Sequence, residues 1–254
     1  MPKALLEARS IVRRFGHVEA LRGADFTVHA GEIVGLIGDN GAGKSTLVKI
    51  LSGADQPTSG TILVDGEAVT FGDPHAAREA GVETVYQDLA LAADLDPAAN
   101  LYLGREILKP GLLGKLGFLD TQAMARETSQ VVRRLGVALK DAGASVADLS
   151  GGQRQSVAVA RAAMWARKVI FMDEPTAALG VVQTEGVLNL IKRVRDEGIA
   201  VVLISHNMQQ VLDVCDRVEV LRLGRRVGAL RTAGASVQDL VAAMTGGVIK
   251  EQAS

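Results

Sequence analysis

The stretch Gly38-Asp39-Asn40-Gly41-Ala42-Gly43-Lys44-Ser45 limits what this chain can be more than any other. It has the form G-x-x-x-x-G-K-[ST]. The apolar run 32–37 before it predicts a buried strand, and the run 46–52 after it predicts a helix stopped by Gly53. Strand, glycine loop and helix in that order form a phosphate cradle. Gly41 and Gly43 let the backbone curl so that successive N–H groups point inward, and the helix that begins near Lys44 adds the positive end of its dipole. Lys44 brings a point charge to the outer phosphates, and Ser45 a hydroxyl suited to Mg²⁺. The plainer reading is a glycine-rich turn before a helix. By average composition the pattern arises by chance on the order of once in a hundred chains of this length, and the flanking strand and helix lower that further.

Length and charge narrow the class. The chain has 254 residues, enough for one large domain or two lobes, and 48% of them are hydrophobic, which fits a globular α/β protein rather than a disordered one. With 28 basic against 29 acidic residues there is no cationic excess to argue for nucleic acid or for a polybasic membrane tail. The single cysteine, Cys215, falls in a helical pattern with Met208, Val211 and Leu212 and is expected to pack in a core, in keeping with a reducing compartment. No apolar run approaches the ~20 residues of a membrane span, and the start, Met-Pro-Lys-Ala-Leu-Leu-Glu, lacks a signal-peptide pattern. If the protein works at a membrane, another chain is expected to supply the span.

In chain order, residues 4–12 and 23–29 are strand-like, and residues 61–69 form a hairpin turning at Asp65-Gly66, which together suggest a small antiparallel sheet. Phe15 is placed on a glycine-flanked loop between the first two strands. It is either a core anchor or a stacking surface for a ring. Residues 82–87 predict a strand ending at Gln87. Residues 88–165 turn helical, with Asp120 capping a helix that runs to Gly136 and residues 109–115 read as a loop. Ser150, Gly151, Gly152 and Gln153 open a helix to about residue 167. Two glycines at a helix start cost about 1 kcal/mol each against alanine, so close approach of something to that backbone is expected. Residues 169–175 predict a buried strand ending in Asp173 and Glu174, where a parallel sheet keeps its chemistry; the plain alternative is a solvated strand end. Asp173 can hold Mg²⁺ through water, and Glu174 can orient or deprotonate an attacking water. Residues 198–205 are an apolar strand delivering His206, which either packs or meets a γ-phosphate. A last helix starts at Ser236, which forms a capping box with Asp239.

Together these residues resemble the nucleotide-binding subunit of an ABC transporter. The loop 38–45, Gln87, the signature Leu149-Ser-Gly-Gly-Gln153, the pair Asp173-Glu174 and His206 stand in the family's order, and the resemblance covers nearly the whole chain. It implies an α/β fold: a phosphate-loop core with a small antiparallel β-subdomain (1–87 and 166–254) and an inserted helical subdomain carrying the signature (88–165). It also implies that Phe15 stacks on adenine, that Gly38 to Ser45 with Thr46 bind the phosphates, and that Ser45, Gln87 and Asp173 serve Mg²⁺. Glu174 would be the general base, Lys44 and His206 would hold the outer phosphates, and Ser150, Gly151, Gly152 and Gln153 would meet ATP bound by a second copy in a head-to-tail homodimer. The helical insert would receive a membrane permease, which would place the chain at the cytoplasmic face of the membrane. One departure stands out: the segment after Pro175 reads Thr-Ala-Ala-Leu-Gly180, where the family usually has Leu-Asp. This segment, Asn100-Leu-Tyr-Leu-Gly-Arg-Glu106 and Ser205-His-Asn-Met208 resemble importers of simple sugars such as ribose, xylose or fructose, which implies an extracytoplasmic sugar-binding protein as an indirect partner. The alternatives are a soluble ABC ATPase acting on nucleic acid or ribosomes, and a nucleotide-binding regulator without turnover. The neutral charge balance and lack of a second ATPase half count against the first, and the complete set Lys44, Asp173, Glu174 and His206 against the second.

Overall fold

A computed structural model describes residues 3–139, 141 and 143–247. The chain opens with β1 (Ala4–Phe15), β2 (Val18–His29) and β3 (Ile33–Ile37), then α1 (Lys44–Leu51). Next come β4 (Ser59–Val64), β5 (Glu67–Val69), α2 (Pro74–Glu79) and β6 (Val82–Val85). A helical stretch holds α3 (Pro97–Tyr102), α4 (Leu112–Lys115), α5 (Thr121–Arg134) and α6 (Gly151–Trp165). The remainder is β7 (Val169–Asp173), α7 (Val181–Asp196), β8 (Ala200–Ile204), α8 (Met208–Val214), β9 (Arg217–Arg222), β10 (Arg225–Arg231) and α9 (Val237–Thr245). Chain contacts divide it into two compact units. One comprises residues 1–87, 165–175 and 194–254; the other comprises 88–164 and 176–193.

The first unit holds two sheets. One is antiparallel in the order β2-β1-β4-β5 and the other has the order β10-β9-β3-β8-β7-β6, parallel from β9 to β6 with β10 antiparallel at its edge. The parallel strands are continuous apolar runs because both faces are covered; every residue of β3 and β8 is buried. Leu6 and Phe26 from the antiparallel sheet, Ile50 from α1 and Leu36, Phe171 and Val202 from the parallel sheet belong to one hydrophobic cluster. Cys215 packs in this unit as expected. Its thiol is buried, and burial with the neighbouring Asp216 pushes its pKa up.

The second unit is helical. Asn100 on α3 is its polar hub: the side-chain amide donates to the carbonyls of Ala92, Leu95 and Asp96, and its Oδ1 accepts from the Ala92 N–H at 2.7 Å. The Tyr102 hydroxyl donates to Glu127 of α5, tying α3 to α5. Residues 109–115, read from sequence as a loop, contain α4. Gly111 at φ 73° precedes it, and four residues of one turn are too short to show a period in sequence. The strand expected to reach Gln87 stops at Val85, and Phe15 is the last residue of β1, paired with Val18, rather than part of a loop.

Candidate functional site

Register in the parallel sheet assembles the site. Ile204 pairs with Leu36 on one side and with Asp173 on the other, so β3, β8 and β7 end side by side. The residues just past these strands therefore emerge at one edge: Gly38 from β3, His206 from β8 and Glu174 from β7. β6 ends at the same edge, since Val85 pairs with Met172, and Gln87 comes two residues later. β6 lies three strands from β3, about 14 Å at the usual interstrand spacing. The structure thus brings Lys44, Asp173, Glu174 and His206 together and leaves Gln87 at the outer end of the row.

The glycine loop is built to its conformation. Gly38 has φ 154° and a Cβ there would meet the Leu221 carbonyl oxygen at 2.2 Å; Gly43 has φ 104° and a Cβ would meet Leu21 Cδ2 at 2.7 Å and the Ala20 carbonyl oxygen at 2.8 Å. Gly41 has φ 79° with open space beside it. The Ala42 N–H donates to the Asp39 carbonyl at 3.0 Å, and the Ala42 carbonyl accepts from Gly224 at 2.9 Å, which pins the loop to the β9–β10 turn. Asp39 and Asn40 stand exposed at the crest, Ala42 is buried beneath it, and Lys44, Ser45 and Thr46 begin α1. The Lys44 ammonium curls back to donate to the carbonyls of Gly38 at 2.6 Å and Asp39 at 3.0 Å.

Electrostatics mark the same place. Burial lowers the Lys44 pKa, with Glu174, Asp39 and Asp173 opposing the shift. Burial first and then Glu174 raise the Asp173 pKa against the pull of Lys44 and Lys49. Glu174 has φ 51°, unusual for a residue with a side chain. Its carboxylate accepts from His206 Nδ1 at 2.8 Å and from the His206 N–H at 3.1 Å. The His206 ring is 82% exposed, while Glu174 is only 19% exposed. Oxygen donors at Ser45, Gln87 and Asp173 are the hard ligands that Mg²⁺ selects.

Beside the loop lies an open groove of about 440 Å³ whose walls include Gly41, Gly43, Lys44, Ser45 and Thr46 on one side and Val18, Ala20 and Arg22 of β2 on the other. Phe15, 49% exposed, pairs with Val18 at the hairpin end, and the Arg13 guanidinium sits 4.6 Å from its ring centroid. Val18, Ala20, Arg22 and Leu223 line this groove although no motif in the sequence singles them out. Their signal is only their place, Val18, Ala20 and Arg22 on β2 and Leu223 in the β9–β10 turn, two hairpins that meet beside the loop.

Ser150 to Gln153 lie in the second unit. The Ser150 hydroxyl accepts from the Gln153 N–H at 3.3 Å, and the Gln153 side chain accepts from the Ser150 N–H at 3.0 Å. This is a reciprocal cap on α6. The expected close approach to the glycine backbone has a partner within the same unit: a Cβ on Gly152 would meet Gln183 Cβ at 2.8 Å. Gly151 is exposed, with only Leu179 Cδ2 at 3.4 Å from a Cβ position.

A family described as ABC transporter matches residues 21–177. The chain is 50% identical over 244 residues to the fructose import ATP-binding protein of Rhizobium meliloti, covering 95% of this chain and 94% of that one. It is 42% identical to the xylose/arabinose import ATP-binding protein of Sulfolobus acidocaldarius, at 95% and 94% coverage. It is 44% identical to a ribose import ATP-binding protein of Burkholderia pseudomallei, covering 96% of this chain and 47% of that longer protein. Among solved structures, a nucleotide-free ATP-binding cassette from an ABC transporter superposes with a TM-score of 0.78 at 25% identity, covering 90% of this chain and 91% of that one.

Proposed function

The chain belongs to the ABC transporter family, and from that membership we propose that it is the ATP-hydrolysing subunit of an importer of simple sugars, working through a separate membrane permease. The ATPase reading rests on the row of Lys44, Asp173, Glu174 and His206 at one sheet edge. The sugar reading rests on the import proteins for fructose, xylose or arabinose, and ribose that the chain resembles at 42–50% identity. No observation favours the alternative acting on nucleic acid or ribosomes.

In this reading the groove takes the nucleotide. Phe15 stacks on the adenine, and the backbone from Gly38 to Thr46 cradles the phosphates. The Lys44 ammonium leaves its two carbonyl partners for the β- and γ-oxygens, exchanging neutral acceptors for charged ones. Ser45 and Asp173 would hold Mg²⁺, with Gln87 moving in from beyond the end of β6 to join them, and the ion would offset phosphate charge. Glu174 takes the proton of the attacking water, held in place by His206, and the exposed His206 ring contacts the γ-phosphate. A second copy contributes Ser150, Gly151, Gly152 and Gln153 to close the site, in a homodimer at the cytoplasmic face of the membrane. Among the described residues no helix is long and apolar enough to cross a bilayer, so the transmembrane path belongs to the permease, and an extracytoplasmic binding protein selects the sugar.

The test is affinity purification of the chain from gently solubilised native membranes, with mass spectrometry of what accompanies it. Recovery of a multi-span membrane protein is expected, with a sugar-binding protein encoded beside it. Recovery of ribosomes, nucleic acid or soluble proteins alone would overturn the importer.

A further inference from the structure

Residues 107–119, Ile-Leu-Lys-Pro-Gly-Leu-Leu-Gly-Lys-Leu-Gly-Phe-Leu, hold seven large apolar side chains, two lysines and no acid. The segment is closed by its own backbone. Leu108 and Leu119 form an antiparallel bridge, the Lys109 N–H donates to the Phe118 carbonyl at 2.9 Å, and the Asp120 N–H donates to the Ile107 carbonyl at 2.7 Å. The Phe118 N–H donates to the Leu113 carbonyl at 3.0 Å, and α4 makes the tip. The loop is thus ordered by hydrogen bonds without burying its side chains. Leu112 is 72% exposed, Leu116 65% and Phe118 54%; Leu108, Leu113 and Leu119 are exposed as well. No residue of α4 is buried.

So many adjacent exposed leucines mark a surface that something covers, because isolated apolar residues scatter on ordinary surfaces and these do not. The charges identify the cover. Lys109 and Lys115 are both exposed and flank the tip. The bordering acids are held locally: the exposed Glu106 carboxylate accepts from the Gly104 N–H at 2.9 Å, and the half-buried Asp120 accepts from the Ala123 N–H at 2.9 Å as the cap of α5, which leaves the two lysines as the charges within the loop itself. A small apolar tip carrying two exposed lysines and no acid of its own matches the boundary of an anionic bilayer, where leucines reach the acyl chains and ammonium groups stay with the phosphates.

We propose that residues 107–119 are a membrane-contact loop that binds an anionic lipid surface directly, Leu112, Leu113, Leu116 and Phe118 entering the headgroup–acyl boundary while Lys109 and Lys115 meet lipid phosphates. The proposal goes beyond the importer reading, because the contact needs neither permease nor nucleotide. Two lysines and one apolar tip make a weak, reversible contact that orients the chain rather than an anchor.

The experiment is sedimentation of the purified full-length chain with vesicles of phosphatidylglycerol and phosphatidylethanolamine in equal parts, compared with neutral phosphatidylcholine vesicles. The wild type is expected to bind the anionic vesicles and to lose about tenfold on the neutral ones. The pair Leu112→Ser with Leu116→Ser, and separately Lys109→Glu with Lys115→Glu, is each expected to lose about tenfold or more on anionic vesicles. Both should keep wild-type ATP turnover in solution, since the altered side chains are exposed. Absence of wild-type binding, or binding unchanged in both pairs, overturns the proposal. So does vesicle-free self-association, or capture of a membrane protein, that depends on the leucines when vesicle binding does not occur; those outcomes assign the loop to a second copy or to a protein partner. Loss of ATP turnover by the wild type with vesicle binding intact would instead count against the nucleotide site alone.

Discussion

Glu174 carries the sharpest single-residue prediction. Its φ of 51° places it in a left-handed backbone that costs an L-residue about 1–2 kcal/mol. Its N–H donates to the Ile204 carbonyl at 2.9 Å, and its carboxylate is held by His206. Glu174→Gln keeps the shape and removes the base, so ATP affinity should persist while turnover falls at least ~100-fold; steady-state hydrolysis beside equilibrium nucleotide binding checks it. Near-normal turnover would show that another group positions the water. Asp173 makes a prediction with a definite sign. Burial raises its pKa above the unfolded value, so the unfolded chain binds fewer protons there than the folded chain. Stability is therefore lost as pH rises from the unfolded pKa through the raised folded one, and the penalty of the buried carboxylate is fully present above both. Asp173→Asn should melt higher than wild type at pH 8, with the difference shrinking toward pH 4, while its turnover at low Mg²⁺ drops. Equal melting at both pH values would mean the carboxylate is not penalised. The place of Asp173 and Glu174 was legible in sequence because an apolar run that ends in two acids reads as a buried strand leaving its sheet. The hydrogen bond from His206 was not, because 32 residues separate the partners and only strand order brings them together.

Elements were legible where a local rule sets their ends. Asp120 caps α5 through the Ala123 N–H, Ser236 and Asp239 form their capping box on α9, and Asp65-Gly66 turns β4 into β5, all as the residue types require. Short elements escaped. α2 is six residues long, and its signal was the Asp73-Pro74 start, where Asp73 accepts from the Ala76 N–H. β1 and β2 run three to five residues beyond the strands expected, since charged positions such as Arg13, Arg14, Glu19 and Arg22 join the ladder and mask its alternation. Asn100 changed meaning between sequence and structure. In sequence it belongs to a subfamily resemblance, and in the fold it is fully buried with four hydrogen bonds that hold residues 92–96 onto α3. Asn100→Leu would leave buried carbonyls and an N–H without partners. A cost of about 3 kcal/mol is expected from the desolvation of such groups, read as a lower urea midpoint. A midpoint within error of wild type would mean that water replaces the amide.

For the whole molecule, the α/β class was legible from the alternation of apolar strands and helices around the glycine loop, whereas the number of copies needed for a working site has no local signature. In the proposed homodimer each ATP is held by Lys44 of one chain and Ser150 of the other. A variant lacking either should be inactive alone, Lys44→Ala because the phosphate charge is gone and Ser150→Arg because a long side chain replaces a short cap at the opposing surface. Mixing the two discriminates the arrangement. In a two-fold dimer formed at random from equal amounts, half of the dimers pair one of each variant, and each such dimer carries one site with both residues intact. Gly180 stands where the resemblance implies an interface aspartate, which puts communication between the two sites through that residue in doubt. With sites that fire independently, the mixture should recover up to about a quarter of wild-type turnover per chain, with recovery rising as ATP drives dimer formation. A mixture as inactive as its parents removes the trans arrangement with independent sites and leaves Ser150 with the role the structure already displays, a helix cap completed by Gln153 of its own chain.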